Sequence, residues 1–212
     1  LPNTIGGWTA DLADEVSIDS LTKLNGRLDS RVHGYAKAGN WTLPWLWGSA
    51  LTYPSGIYGE VGFREGVSAM ALCLAAEETN GHVYSIDIDS CETGRTNIRK
   101  ARLDRRHTFI QGDSSVTKFP EPLDILYIDG GHTYDQVKAD FDLHYDNVKP
   151  GGIIFFHDPV IWPDDVGRFL EEKAIFTMPI GVGLGVMFKP FERGQVSVRP
   201  ELSDCPVLVD AG

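Results

Sequence analysis

Long apolar runs, cysteines and positive charge are all scarce in this chain of 212 residues, and each scarcity removes a class of protein. No apolar stretch approaches the roughly 18 residues of a membrane-crossing helix. The opening LPNTIGGWTADLADE has neither the basic nor the apolar region of a secretory leader. The expectation is therefore a soluble, cytoplasmic protein with no membrane partner. Cys73, Cys91 and Cys205 lie far apart without metal-ligand spacing and cannot all pair with one another, which argues against a disulfide framework and for a reducing compartment. Lys and Arg number 19 against 30 Asp and Glu, and the formal charge of -11 repels a nucleic-acid backbone on average. The densest basic stretch, Arg99 to Arg106, reads as a solvated helix face. The G-x-G-x-x-G turn of dinucleotide-binding proteins is also missing, as is an N-P-P-Y tetrapeptide suited to an exocyclic amine.

What is present changes character near Gly56. Asp14 to Ala38 carries apolar residues at loosely helical spacing, and the aromatic segment WTLPWLWGSALTYPSG that follows reads as a loop or lid. From Gly56 onward, short apolar runs alternate with helix-sized segments: a run ending at Val61, then HVYSIDID, HTFIQGD, LDILYIDGG and GGIIFFHD. Near-continuous apolar runs separated by helices indicate parallel strands buried on both faces. Two last runs, AIFTMPI and GVGLGVMFKP, predict a terminal antiparallel pair. The expected fold is α/β, a doubly wound, mostly parallel seven-stranded sheet. The expected organisation is an N-terminal helical and aromatic extension (1–55), a catalytic domain (56–190) and a tail (191–212).

Ligands of open α/β sheets sit beyond the carboxyl ends of the strands, near the point where strand order reverses. The first run stops at EVGFREGVS (60–68). Gly62 and Gly66 allow a sharp turn and close backbone approach, and Gly66 opens a helix whose free N–H groups favour a carboxylate. The second run ends in Asp87, placed to accept from the ribose hydroxyls of an adenosine ligand, ahead of Asp89. The third ends in QGDS, where Asp113 and Ser114 suit either an adenine edge or a capped turn.

In series, EVGFREGVS (60–68), IDID (86–89), GDS (112–114), IDGGHTY (128–134) and KPGGIIFFHD (149–158) resemble the class I S-adenosylmethionine-dependent methyltransferases, and more closely the small-molecule O-methyltransferases of family 24. The resemblance covers about Gly56 to Lys189. It implies S-adenosyl-L-methionine as cofactor, with Glu60, Gly62, Gly66 and Ser68 in the methionine-binding turn, Asp87 on the ribose, Asp113 and Ser114 at the adenine, and Asp129 beside them. Phe63, Arg64 and Glu65 depart from the small residues such turns commonly carry.

Asp129 and His132, with His157 and Asp158, stand at two further strand ends. Carboxylates with imidazole suit a divalent cation such as Mg²⁺. The expected metal ligands are Asp129, Asp158 and His157, and His132 is the expected general base, with Asp129 also catalytic. The expected partner is a hydroxylated small molecule, a sugar or a phenol; a homo-oligomer is left open. Trp41, Trp45, Trp47 and Tyr53 are candidates to cover the acceptor, with Trp162, Pro163 and Asp164 as its other wall. The alternatives are a non-catalytic S-adenosylmethionine-binding protein and a metal-dependent enzyme of another reaction type on the same fold.

Overall fold

The computed structural model describes residues 42–191. The expected helix over Asp14 to Ala38, Trp41, Cys205 and nearly all of the 191–212 tail lie outside them. Along the chain run α1 (Leu43–Ala50), β1 (Ile57–Val61), α2 (Val67–Thr79), β2 (His82–Asp87), α3 (Glu92–Lys100), β3 (His107–Gln111), β4 (Leu123–Ile128), α4 (Tyr134–His144), β5 (Val148–His157), α5 (Arg168–Glu172), β6 (Phe176–Met178) and β7 (Leu184–Phe188). The strands form one sheet in the order β3-β2-β1-β4-β5-β7-β6. The first five are parallel, and β7 pairs antiparallel with both β5 and β6. This is the doubly wound sheet with a terminal antiparallel pair that the apolar runs predict.

Burial on both faces explains the composition of the strands. In β4, Leu123, Ile125, Leu126, Tyr127 and Ile128 are all buried, and two apolar clusters sandwich the sheet. One is centred on α2, whose residues from Ser68 to Ala76 are all buried; the other lies under α4 and α5. Chain order reverses between β1 and β4, so the carboxyl ends of these strands frame the crevice that this topology makes available to a ligand.

One expectation needs correction. Residues 43–50, read as loop or lid, form α1, with Pro44 in its first turn, where a missing N–H costs nothing. Leu43, Leu46, Trp47 and Ala50 are buried in the α2 cluster. Trp47 is thus core rather than acceptor cover. Tyr53 is pinned through its hydroxyl, which donates to the Gly151 carbonyl at 3.0 Å, while Trp45 stays 46% exposed. A widened π turn at Pro163–Gly167 leads into α5.

Candidate active site

The glycine turn follows β1 and is held from three sides. Gly62 has φ 89°, and a Cβ there would lie 2.0 Å from the Asp129 carbonyl oxygen, so no side chain fits. Gly66, at φ 76°, precedes α2 without any side-chain cap, leaving the first N–H groups of that helix without a side-chain acceptor. Between them, Phe63 turns inward, is 2% exposed, and stacks on His107 at 4.9 Å. The Glu65 carbonyl accepts from Asn97 of α3 at 3.0 Å. The bulky triplet that departs from small-residue turns is therefore an anchor, with its aromatic member packed under the loop.

Asp87 closes the turn. Its Oδ2 accepts from the N–H groups of Phe63 at 2.8 Å and Arg64 at 3.1 Å, and Oδ1 accepts from Asp89 N–H at 3.0 Å. Burial alone would raise its pKa, but these backbone donors and the Cys91 thiol hold it below the usual carboxylate value. Asp87 thus stands as a carboxylate at the end of β2, where the sequence places it, and Cys91 is a partner that the sequence did not reveal.

Glu60 and Ser68 lie beneath the turn rather than on it. Glu60 is fully buried, accepts from the Ser68 hydroxyl at one oxygen, and from the Ser85 hydroxyl at the other at 2.6 Å. Burial pushes its carboxyl up to about 8 despite these donors. Ser85 also lies 2.9 Å from His107 Nε2, a diagonal contact from β2 to β3, because His107 itself aligns with Val83.

At the end of β3, Asp113 is exposed and its carboxylate accepts from both the N–H and the hydroxyl of Ser115, closing its own turn. Ser114 donates to the buried carboxyl of Asp140 on α4 at 2.7 Å. Both residues sit at the strand end, and their side chains are engaged in local contacts.

The other four expected residues converge. His157 Nδ1 lies 3.0 Å from both Asp129 Oδ1 and Asp158 Oδ1, and His132 Nε2 lies 2.9 Å from Asp158 Oδ2 and 3.8 Å from Asp129 Oδ1. These are ionic contacts rather than aligned hydrogen bonds: His132 Nε2, His157 Nδ1 and Asp158 Oδ1 are buried without a correctly angled partner. Contact with Asp129 and Asp158 pushes His132 up to about 9. Burial opposes the charging of His157, yet the same two carboxylates push it up to about 9 as well. Burial would raise Asp158, and the two imidazoles outweigh it and hold the carboxyl well below the ordinary range. Asp158 takes φ 67°, a strained value for a residue with a side chain, of the kind that collects at functional positions. Asp129, His132 and Asp158 offer ligand atoms within 4.8 Å of one another.

The wall of the cluster comes from the segment after β5. Trp162 stacks on His132 at 5.5 Å and remains 44% exposed, next to exposed Val160 and Ile161. Asp165, in the π turn, accepts from the Tyr134 N–H at 3.0 Å and so caps α4 together with Thr133.

Residues 60–159 match the model of the methyltransferase-domain family 24, so the resemblance read from the motifs is borne out over that stretch. An uncharacterized protein of Acanthamoeba polyphaga mimivirus is 32% identical over 87 residues, 41% of this chain and 37% of its own length. Another from Sinorhizobium fredii is 31% identical over 120 residues, 50% of this chain and 12% of its own. The match thus spans well under half of either curated relative. Among solved structures, an O-methyltransferase from Bacillus cereus in complex with SAH superposes with a TM-score of 0.61 at 19% identity, covering 88% of this chain and all of that one (100%). That likeness shows a shared fold. Among the described residues, no helix is long and apolar enough to cross a membrane.

Proposed function

From the premise that residues 60–159 are a methyltransferase domain of family 24, we propose that the chain transfers a methyl group from S-adenosylmethionine to a hydroxyl of a small molecule, a sugar or a phenol, with a divalent cation such as Mg²⁺ at the acid–imidazole cluster. One observation carries the reading: the glycine turn and the cluster are a single backbone unit. Asp129 N–H donates to the Val61 carbonyl at 2.8 Å, and its own carbonyl fills the space that a side chain on Gly62 would need. A cofactor at the turn and an acceptor at the cluster would thereby be neighbours. The SAH complex of the Bacillus cereus relative supports the choice of cofactor.

The chain's residues fit both groups. The uncapped start of α2 suits the carboxylate of a methionine moiety, and Asp87 stands as a charged acceptor for ribose hydroxyls. Asp113 and Ser114 lie at the next strand end, where the adenine would reach. At the cluster, buried nitrogen and oxygen atoms without aligned partners form a donor set suited to a divalent cation, with Asp129 and Asp158 as its holders and His157, whose Nδ1 lies 3.0 Å from both, as the third.

When bound, S-adenosylmethionine supplies a methyl carbon activated by its sulfonium, and the cation lowers the cost of charge on the acceptor oxygen. The protein's own work is to hold the acceptor in line and take its proton. With a divalent cation taking up the charge of Asp129 and Asp158, the His132 imidazole would give up its own proton and become free to take that of the acceptor, and the Trp162 ring covers one of its faces. The test is calorimetric titration of S-adenosylmethionine and its demethylated product on wild type and Asp87→Ala, with and without Mg²⁺, followed by hydroxylated acceptors with and without chelator. Weaker binding in Asp87→Ala and turnover lost with chelator are expected; no binding by wild type in any condition overturns the reading.

A further inference from the structure

Beneath the glycine turn lies a second set of polar groups that the reaction above does not use. Glu60 on β1, Ser85 on β2 and His107 on β3 occupy adjacent strands, and their side chains form one line: Glu60 Oε2 to Ser85 Oγ at 2.6 Å, Ser85 Oγ to His107 Nε2 at 2.9 Å. Ser85 is completely buried, as is Glu60. A hydroxyl has one proton, so Ser85 donates to only one of its two neighbours and must accept from the other.

We infer that Glu60, Ser85 and His107 form a proton relay under the glycine turn, in which the direction of the Ser85 hydroxyl follows the charge of Glu60, and that a cationic ligand on the turn drives the relay to its charged state. This rests on the cofactor reading above. In the neutral state, Glu60 Oε2–H donates to Ser85, Ser85 donates to His107 Nε2, and the imidazole keeps its proton on Nδ1. In the charged state the Glu60 proton has passed to Ser85, the Ser85 proton has passed to His107 Nε2, and Nδ1 has released its proton to solvent. One proton leaves, no bond other than O–H and N–H changes, and the buried carboxylate gains Ser85 as a second hydroxyl donor beside Ser68.

The surroundings favour the neutral state when the turn is empty. Glu60 faces Asp87 at the end of β2 and Asp129 at the end of β4, both of which oppose its ionisation, as well as Ser68 and the Cys73 thiol on α2 and the Tyr127 hydroxyl on β4. His107 is flanked by His82 on β2 and by the Phe63 ring, and burial followed by the His82 charge brings it down to about 4. A positive charge on the turn supplies the counter-ion that Glu60 lacks. The sulfonium cofactor carries such a charge at sulfur and its demethylated product does not, so the relay makes the turn sensitive to whether the methyl group has left. His107 and Ser85 act through Glu60 and are positioning residues.

The test needs no turnover. In the ligand-free protein, the protonated-carboxyl infrared band assigned by its loss in Glu60→Gln is followed with pH alongside the imidazole nitrogen shifts of His107. The expected result is that the band fades near pH 8 and that the His107 proton moves from Nδ1 to Nε2 over the same range. Ser85→Ala should uncouple the two and Ser85→Thr should restore them, which a merely structural serine would not do. Absence of the band at pH 6, or a His107 tautomer that never changes, overturns the relay. In wild type at pH 7, S-adenosylmethionine should then remove the band with release of about one proton, and the demethylated product should not. Binding without either change overturns the link to ligand charge, whereas no binding at all sinks the cofactor reading and leaves the titration result standing.

Discussion

Two groups of carboxyls and imidazoles lie on either side of the glycine turn, and they are held in opposite states. At the ends of β4 and β5, Asp129 and Asp158 touch His132 and His157 directly, both imidazoles are pushed up to about 9, and Asp158 is held low. Below the turn, a hydroxyl separates Glu60 from His107; there burial pushes the acid up to about 8 and the imidazole down to about 4. The same residue types thus give a charged cluster where each cation meets two carboxylates at the crevice, and a neutral chain where one acid and one base are kept apart in the core. Contact and access to water decide the charge, not the identity of the side chains.

The largest expected effect falls on the charged group. Replacing His132 with alanine should lower methyl transfer by about 10²–10⁴-fold, the usual contribution of a positioned proton acceptor. Steady-state rates with and without chelator check it. Unchanged turnover and metal dependence in Asp129→Ala or Asp158→Ala would end the metal reading.

Next in size is Gly62→Ala, which strikes the link between the groups. The new methyl would meet the Asp129 carbonyl at a φ of 89°, so denaturant unfolding should show a loss of about 3 kcal/mol or more. A loss well under 1 kcal/mol would mean that the turn and β4 move independently.

Asp87→Ala should weaken S-adenosylmethionine binding by about 10–100-fold, the worth of hydrogen bonds to a charged acceptor. Calorimetry at fixed salt reads it. Equal affinity in the two proteins would remove Asp87 from the ribose and leave it only the backbone contacts with Phe63, Arg64 and Asp89.

The smallest effect concerns Asp140, a buried acid with one hydroxyl donor, Ser114, and a carboxyl that burial raises from 3.8 to about 6. A raised carboxyl means that the unfolded chain ionises first, so stability falls as pH rises from about 4 to about 6 and stays lower above that. Asp140→Asn keeps an acceptor for Ser114 and cannot ionise. Its melting temperature relative to wild type should therefore be higher at pH 8 than at pH 4, and a gap of equal size at both would show that Asp140 is not held neutral.

Most of the fold was legible because both faces of the sheet are covered, which turns each parallel strand into a run of apolar letters that needs no partner to be recognised. The crevice residues were legible for a related reason: Asp87, Asp129 and Asp158 each follow such a run directly. The segment 43–50 was misread because tryptophan and proline there look like loop composition, whereas Pro44 sits in a first helical turn and Trp47 is buried by α2. Ser85 and His107 gave no readable signal of their own. Their meaning comes from the lateral alignment of three strands, and the only trace in the letters is a polar residue in the middle of HVYSID. Asp113 and Ser114 follow the end of β3, and the contacts they make with Ser115 and Asp140 depend on a turn and a distant helix.

The cap that Asp165 places on the Tyr134 N–H ties the aromatic wall to the first turn of α4. Swinging that wall outward to admit or discharge a bulky acceptor would strip the helix of this acceptor, so opening and fraying become one event. The Tyr134 amide therefore reports on that contact: its hydrogen exchange should quicken in Asp165→Ala and slow when a small molecule packed in the crevice holds the wall against α4.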